Sequence, residues 1–341
     1  MQADLIPVTV LTGFLGAGKT TLLNRILTQN HGRRIAVIEN EFGEIGIDND
    51  LVINADEEVF EMNNGCICCT VRGDLIRILG NLARRRDKFD YVLVETTGLA
   101  DPGPVSQTFF VDEEVRASYR LDGIITLVDA KHAWLHLDDS RECQEQIGFA
   151  DRILLNKTDL ASPSDLDRLE KRIRSMNRVA EIHRTQRGEV DVNLVLNVHA
   201  FDLDAKLAWD ADFLKTGDDR SDLDSGHRHD HEHEHGHADP VHDESVSSVG
   251  IVEIRPLDGK KINEWMSTLL QKKGGDIFRM KGILNVQNST HRFVLQGVHM
   301  QFEGKPDRAW KDGEERKSSL VFIGRDLDRE ALTAGFRSCL A

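Results

Sequence analysis

The residues best suited to chemistry form a glycine-rich stretch near the start of the chain. Residues 13–20 read GFLGAGKT and fit the pattern G-x-x-x-x-G-K-[ST] at every fixed position. Glycines in such a loop let backbone N–H groups curl around an anion, and the following helix adds the partial positive charge of its N-terminus. Lys19 is predicted to neutralise the β- and γ-phosphates of a nucleotide, and the Thr20 hydroxyl to bind Mg²⁺. The predicted phosphate-binding residues are Gly13, Gly16, Ala17, Gly18, Lys19, Thr20 and Thr21.

A second stretch, NKTD at 156–159, predicts which base is bound. It matches the N-K-x-D element with which P-loop GTPases read guanine, so Asn156, Lys157 and Asp159 are predicted to bind the nucleotide. The Asp159 carboxylate can accept hydrogen bonds from the ring N–H and exocyclic amino group of guanine, whereas adenine has no such pair of donors. Sites that require a hydrogen bond discriminate by roughly 10⁴ or more. The predicted nucleotide is therefore GTP rather than ATP.

A third stretch, ETTG at 95–98, follows an apolar run and concerns hydrolysis. Glu95 is expected to approach Mg²⁺ through water, and the Gly98 amide to sense the γ-phosphate. No glutamine stands where a water-positioning residue is expected. Glu39, Glu44 and the Gly98 backbone remain alternatives for orienting the attacking water, so these residues join Lys19 and Glu95 as the predicted catalytic set.

Three of the five cysteines crowd into one run, GCICC at 65–69. The thiolates of Cys66, Cys68 and Cys69 are soft ligands, which select Zn²⁺, Cu⁺ or iron–sulfur clusters. Three thiolates so close together cannot easily complete a tetrahedral cage alone, so an open or exchangeable fourth position is expected, unlike a closed structural site. The run predicts a site for a metal in transit.

Further metal ligands are predicted on either side of this run. Glu39 and Glu44 lie in ENEFGE (39–44), where P-loop GTPases keep their first nucleotide-sensing switch, and can reach Mg²⁺ or a metal on the cysteines. Loss of the γ-phosphate would then change the coordination of that metal. A later segment holds seven of the fourteen histidines and predicts weak, exchangeable sites for Zn²⁺, Ni²⁺ or Co²⁺. These histidines are His227, His229, His231, His233, His235, His237 and His242.

The elements that must position these residues follow an alternating pattern. Short, almost continuously apolar runs at 5–11, 34–39, 91–95, 124–128 and 152–155 alternate with helical patterns, for example 20–29 and 164–176, the latter with Ser164 as its expected N-cap. Such alternation predicts an α/β fold with a doubly wound, mostly parallel sheet. After a break in composition, shorter patterns predict a smaller α+β domain. The predicted organisation is a nucleotide-binding domain at 1–205, a flexible His/Asp-rich linker at 215–246 and a C-terminal domain at 247–341.

Composition limits the classes of partner. The 43 Lys and Arg residues against 58 Asp and Glu give a net charge of −15, which argues against broad binding to a nucleic acid. Ten acidic residues and two arginines between Asp218 and Glu244 place much of this charge beside the histidines. The sequence has no apolar stretch of about 18 residues, so no membrane span is predicted, and the first residues, MQAD, do not resemble a signal peptide. Together with cysteines that suit a reducing compartment, this predicts a cytoplasmic protein.

On these motifs the chain resembles the CobW/YjiA-type family of metallochaperone GTPases, relatives of the nickel-insertion GTPases. The resemblance rests on GFLGAGKTTLLN (13–24), ENEFGE (39–44), GCICC (65–69), ETTG (95–98), DPGP (101–104) and NKTD (156–159). It implies a SIMIBI-like P-loop GTPase domain and a CobW-type C-terminal domain. It also implies slow GTP hydrolysis, with GTP and Mg²⁺ bound at the site, and zinc carried on the cysteines to client apo-metalloenzymes. Cys66, Cys68 and Cys69 are the implied ligands, with Glu39 and Glu44 as partners from the switch segment.

Several alternatives to a zinc chaperone remain. The cargo could be cobalt for cobalamin synthesis, iron or cobalt for a nitrile-hydratase-like client, or Ni²⁺. A metal buffer or sensor would use GTP only as a structural ligand. A generic regulatory GTPase would leave the three cysteines unexplained. A nucleotide- or metal-dependent homodimer is compatible with each of these hypotheses.

Overall fold

The computed structural model describes residues 5–39, 59–61, 69–201 and 246–341. The first three ranges contain a seven-stranded sheet in the order β3-β2-β4-β1-β5-β6-β7, and every strand pair in it is parallel. The strands are β1 (Ile6–Gly13), β2 (Ile35–Glu39), β3 (Val59–Glu61), β4 (Tyr91–Glu95), β5 (Tyr119–Asp129), β6 (Arg152–Asn156) and β7 (Glu181–Arg184). Because β2, β3 and β4 lie on one side of β1 and β5, β6 and β7 on the other, the direction of the chain across the sheet reverses beside β1, where open α/β sheets bind their ligands.

Helices cover both faces of this sheet, as the near-continuous apolar runs predict. On β4, Val92 and Val94 pack into one buried cluster, and Tyr91 and Leu93 pack into another on the opposite face. The second cluster includes Leu22 and Leu23 of α1, whereas the first includes residues of α2, α3, α5 and α6. The helices are α1 (Lys19–Thr28), α2 (Cys69–Ala83), α3 (Gly103–Val111), α4 (Glu113–Ser118), α5 (Arg141–Phe149) and α6 (Pro163–Met176).

The start of α6 corrects one expectation. The N-cap is Ser162, not Ser164: the Ser162 Oγ accepts a hydrogen bond from the Asp165 N–H at 3.2 Å. Pro163 then occupies the first helical position, where its fixed φ favours the helix and its missing N–H has no cost. The N-cap therefore lies two residues earlier than predicted, and the helix begins at Pro163.

A second sheet, antiparallel and five-stranded, occupies residues 246–341 in the order β11-β10-β9-β12-β8. One face packs under α7 and α8, with Met266 and Phe336 in its core. The other face faces the first sheet's helices, so Phe278, Val321 and Ile323 belong to the same buried cluster as the N-terminal domain. The elements are β8 (Val246–Glu253), α7 (Gly259–Lys273), β9 (Ile277–Leu284), β10 (His291–Val298), β11 (Gln301–Ala309), β12 (Ser318–Arg325) and α8 (Arg329–Arg337).

The predicted fold class is confirmed: a doubly wound parallel sheet is joined to a smaller α+β domain.

Charged side chains are buried where the two domains meet. Asp151, just before β6, pairs with Arg279 and with the Lys281 Nζ at 2.9 Å, both on β9. Nearby, Arg325 of β12 donates to the Glu145 carboxylate of α5 at 3.2 Å. None of the described helices is long and apolar enough to cross a membrane.

Candidate active site

The glycine-rich loop leaves the carboxyl end of β1 in a conformation that two of its glycines make possible. Gly13 has a φ of 143°, and a Cβ there would lie 2.4 Å from the Leu127 carbonyl oxygen. Gly18 has a φ of 104°, and a Cβ there would lie 2.5 Å from Nδ2 of Asn156. Side chains at either position would clash and strain the backbone. The predicted phosphate cradle is thus built around glycine in this fold.

The helix after the loop is suited to an anion. Gly18 caps α1 without a side-chain hydrogen bond, and the first turn carries no acidic residue, so its N–H groups and dipole can serve a phosphate. Lys19 begins the helix, is only 9% exposed, and donates from Nζ to the Gly13 carbonyl at 2.8 Å. The lysine ammonium is therefore held across the mouth of the loop. Of the remaining loop residues, Ala17 is buried and Gly16 and Thr21 are exposed, whereas Thr20 is partly buried.

Glutamates line the same edge of the sheet. In the strand register Glu39 of β2 lies beside Glu95 of β4 and beside Glu61 of β3, and Glu95 lies beside Leu11 of β1. The row therefore sits next to the strand that ends in the phosphate loop. Glu39 is 5% exposed and Glu95 is partly buried.

Hard oxygen donors at this edge fit Mg²⁺. The Thr20 hydroxyl on the first turn of α1 and the Glu95 carboxylate are the residues that would hold it, beside a loop whose glycines leave room for phosphate.

The segment after Glu95 is packed directly onto the loop. The Thr96 N–H donates to the Leu11 carbonyl at 2.9 Å, and the hydroxyls of Thr96 and Thr12 are 2.8 Å apart. A Cβ at Gly98 would lie 2.5 Å from Cδ2 and 2.8 Å from the backbone N of Leu15. Gly98 is therefore in contact with the phosphate loop, as its predicted role requires.

The base-reading segment also contacts the loop. Asn156 ends β6, donates from Nδ2 to the Ala17 carbonyl at 2.9 Å and accepts from the Gly188 N–H at 3.1 Å. The nitrogen and the oxygen of the side-chain amide thus both bind backbone groups, and Asn156 links the phosphate loop to Gly188. Lys157 adopts a φ of 60°, and Asp159 is exposed in a short 3-10 helix, Thr158–Leu160.

Residues 185–189, which follow β7, also border the candidate nucleotide site, and no sequence pattern predicted them there. The Thr158 hydroxyl donates to the Thr185 carbonyl at 3.0 Å, and Arg25 of α1 donates to Glu189 at 3.0 Å. These bonds place residues 185–189 between the base-reading segment and α1. No charge pattern or motif marks them; only the sheet order brings them here.

A carboxylate at the end of β5 holds Lys157. The Lys157 Nζ lies 2.8 Å from Oδ2 of Asp129, and His132 Nδ1 lies 3.0 Å from the same oxygen. Burial opposes ionisation of Asp129, but these hydrogen bonds and the charge of Lys157 prevail and lower its pKa. A cavity of about 350 Å³ adjoins this pair and the phosphate loop, in the size range of ligand sites.

The predicted metal ligands are reached only in part. Glu44, Cys66, Cys68 and the seven histidines lie outside the described residues, and Cys69 is placed as the first residue of α2. Within residues 5–39, 59–61, 69–201 and 246–341, no group of three or more His, Cys, Asp and Glu could hold a metal ion. The other two cysteines are buried, and burial raises the pKa of the Cys143 thiol to about 12. Cys143 is therefore unsuited to act as a thiolate ligand.

The sheet topology, glycine-rich loop and base-reading segment together define a P-loop GTPase domain, here followed by a second domain. Residues 7–184 match the model of the CobW/HypB/UreG nucleotide-binding domain, and residues 246–340 match that of the cobalamin synthesis protein CobW C-terminal domain. The chain belongs to the CobW family of P-loop GTPases.

Relatives match over nearly the whole length. The chain is 37% identical to the zinc chaperone YjiA of Escherichia coli, over 97% of this chain and 98% of that protein. It is 34% identical to the zinc-regulated GTPase metalloprotein activator 1 of Schizosaccharomyces pombe, over 96% and 84% of the two chains. The crystal structure of the Zn(II)-bound YjiA GTPase from E. coli superposes with a TM-score of 0.76 at 33% identity, covering 99% of this chain and 100% of that chain.

Proposed function

We propose that this protein is a GTP-dependent zinc metallochaperone, which carries Zn²⁺ on Cys66, Cys68 and Cys69 and transfers it to client apo-metalloenzymes. The observation that carries the proposal is the row of glutamates at the carboxyl edge. The chain leaves this row at Glu61, the last residue of β3, and enters α2 at Cys69. The described chain before the cysteine run therefore ends, at Glu61, on the edge that also bears Glu39, Glu95 and the phosphate loop. Relatives named zinc chaperones and zinc-regulated activators support the choice of metal.

Each nucleotide contact has a proposed task. Lys19 neutralises charge on the transferring phosphoryl group, and Asp159 selects guanine by accepting its two N–H donors. Thr20 and Glu95 hold Mg²⁺, which shields the phosphate charge when bound. Gly98, already against Leu15, presents its amide to the γ-phosphate. Glu39, which is buried at the same edge, Glu44 and the Gly98 backbone are the alternatives for orienting the attacking water.

The nucleotide and the cargo are proposed to share the glutamates. Glu39 and Glu44 bind the zinc held by the cysteines when GTP is bound, and the loss of the γ-phosphate alters this arrangement and weakens zinc binding. The seven histidines of the segment from His227 to His242 act as a weak, exchangeable reserve, assisted by the acidic residues among them. The partners are client proteins in the cytoplasm, with a nucleotide- or metal-dependent homodimer as a further proposed state.

The test is zinc transfer from the loaded protein to candidate apo-metalloenzymes with GTP, GDP or a non-hydrolysable GTP analogue. Of these three nucleotides, only GTP is expected to support activation of the client. The Cys68→Ala variant should lose tight zinc binding and transfer yet retain GTP binding, whereas the matched variant Cys339→Ala, which removes a buried thiol of the C-terminal domain, should retain all three. Strong zinc binding without GTP-dependent activation of any client would favour a metal buffer and overturn the proposal. Unchanged zinc affinity in Cys68→Ala would contradict the ligand assignment.

A further inference from the structure

One buried glutamine joins the segment around Gly98 to helix α5. Gln146 is 1% exposed, and its Nε2 donates to the carbonyls of Gly98 and Ala100, each at 3.1 Å. Both donors of the amide group are therefore spent on the segment that follows ETTG. The backbone carbonyl of Gln146 accepts from the Thr126 hydroxyl of β5 at 2.7 Å, which fixes the helix to the sheet.

The neighbours of Gln146 on α5 contact the other domain. The Glu145 carboxylate accepts from Arg325 of β12, and its side chain is 7% exposed. The Phe149 ring stacks on Phe278 of β9 with ring centroids 5.0 Å apart. Adjacent residues of a single helix thus bind the candidate γ-phosphate sensor and the C-terminal sheet.

The packing leaves little freedom between these contacts. A Cβ on Gly148 would lie 2.7 Å from the Phe278 ring, and a Cβ on Gly103 would lie 3.0 Å from both Asp101 Oδ1 and the Phe149 ring. Gly103 begins α3, only a few residues after Gly98. Tightly packed elements shift as units rather than deform, so a displacement of residues 98–103 is transmitted to α5 and to β9.

We propose that Gln146 is a positioning residue for GTP hydrolysis, which holds the backbone of Gly98 and Ala100 against the phosphate loop, and that α5 couples this segment to the C-terminal domain through Glu145 and Phe149. The proposal rests on the role of Gly98 under Proposed function. Gln146 acts through the backbone: it fixes the carbonyl side of the segment whose amide side is proposed to face the γ-phosphate. Its removal therefore weakens a contact of the transition state more than the binding of GDP.

The experiment compares two near-isosteric variants of the full chain. Gln146→Met keeps the buried volume and removes both donors. Its matched control is Gln144→Met, since Gln144 is 6% exposed on the same helix and donates to the carbonyls of Leu137 and Asp138 instead. The kcat and KM for GTP and the affinity for GDP are measured, with urea unfolding to compare the loss of stability.

Gln146→Met is expected to lower kcat by about 10²-fold, the cost of a slightly misplaced catalytic group, with KM and GDP affinity changed by less than about threefold. Gln144→Met is expected to lose similar stability with unchanged kcat. Should Gln146→Met not fold, Gln146→Glu, which sets an acceptor against the same two carbonyls, is expected to show the same selective loss. A kcat in either Gln146 variant equal to that of Gln144→Met would overturn the proposal.

A third variant, Lys19→Ala, separates an error in the proposed role of Gln146 from an error in the assignment of the nucleotide site. If Lys19→Ala is inactive while Gln146→Met turns over normally, the positioning role is wrong and the nucleotide site stands. If Lys19→Ala also turns over normally, the site itself is wrongly assigned and the inference falls with it.

The link to the C-terminal domain is tested from its other end. Arg325→Gln removes the bond to Glu145 and is expected to change kcat by about two- to thirtyfold, the range of measured couplings, at unchanged GDP affinity. The control is Arg255→Gln, which breaks an ion pair with Glu253 inside the C-terminal domain, 2.8 Å long. Equal kcat values for these two variants would contradict the coupling.

Discussion

The two sheets of this molecule use their edges and faces in opposite ways. In the N-terminal sheet all strands run parallel, so the loops after β1, β2, β4 and β6 gather at one edge and bring Gly13, Glu39, Glu95 and Asn156 together. In the C-terminal sheet neighbouring strands run antiparallel, so consecutive loops fall at alternate ends. This sheet packs through its faces: one face lies under α7 and α8, and the other packs against α5 and α6.

The two domains also use their charged residues differently. At the N-terminal edge, Asn156 and Lys19 bind backbone carbonyls, and Glu39 and Glu95 lie in register beside the strand that ends in the phosphate loop. At the domain interface, charges neutralise one another: burial lowers the pKa of Arg279 and of Lys281, while the charge of Asp151 opposes this shift. Asp151 also accepts the Ile124 N–H of β5 at 3.0 Å, so the interface charge reaches the N-terminal sheet. We therefore expect mutations at the edge to act mainly on chemistry, and mutation of Asp151 with its two cations to act mainly on stability.

The largest expected effect is on stability at the interface. Asp151→Ala removes the partner of two buried cations, and breaking a buried pair from one side costs about 3–5 kcal/mol. Urea unfolding of the full chain measures it. The surface control is Arg184→Ala, whose side chain is 41% exposed beside Asp167 and Glu170 and should cost less than about 1 kcal/mol. Similar losses in the two variants would remove the distinction between interface and surface charge.

The next effect is on turnover. Lys19→Ala should lower kcat by at least about 10²–10³-fold, because it removes the cation aimed at the transferring phosphoryl group. Phosphate release from GTP measures it, with the exposed Lys171→Ala on α6 as the control. The free energy of unfolding of Lys19→Ala should change little. Retained GTPase activity in this variant would contradict the assignment of the phosphate site.

A smaller change is expected in base selectivity. Asp159→Ala should weaken GTP binding by roughly 10²-fold and leave the weak binding of ATP unchanged, because hydrogen bonds to a charged acceptor are lost only with guanine. Competition binding with a fluorescent GDP analogue reports both nucleotides. A parallel loss for GTP and ATP would show that Asp159 has a structural role instead.

Asp101 tests the point where edge and interface meet. Burial, assisted by the charge of Glu145, raises its pKa to about 6, against the opposing effects of the Gly103 N–H, Arg141 and Arg325. A raised pKa means that the native state favours the neutral acid, so this stabilisation is present below the ordinary pKa and is lost as the pH rises through about 6.

The substitution Asp101→Asn keeps the acceptor for Gly103 and removes the charge. Its stability relative to the parent should increase between about pH 4 and 7 by on the order of 2 kcal/mol. Urea unfolding at intervals across this range measures the difference, and a difference that is constant with pH would contradict the burial of a charge there.

Sequence reasoning was strongest where a buried strand precedes a motif. The apolar runs before Gly13, Glu95 and Asn156 placed these residues at strand ends, because short runs that are apolar throughout and alternate with helical patterns are typical of doubly covered parallel strands. It missed β3 and β7, the two edge strands of the N-terminal sheet, and β11, an edge strand of the C-terminal sheet: β7 reads EIHR, and β11 contains Gly304 and Pro306. Edge strands tolerate charge, Gly and Pro, so they lack the pattern of the central strands.

The site was predictable in its motifs and not in its supports. Gln146 belongs to the helix sequence RECQEQIGF, in which nothing separates it from Gln144; only the packing of α5 against residues 98–100 gives it a task. Residues 185–189 carry no motif and reach the base-reading segment through the sheet order alone. Contacts between segments distant in sequence depend on tertiary packing, which local patterns do not encode.

The most direct test of zinc carriage driven by GTP is thermodynamic linkage. The zinc affinity of the full chain is measured with a non-hydrolysable GTP analogue and with GDP, and the affinities of the two nucleotides are measured with and without zinc. If the two sites share the glutamates, zinc binds more tightly in the analogue-bound state, and zinc increases the preference for the analogue over GDP by the same factor. Equal zinc affinities in the two nucleotide states would contradict the account.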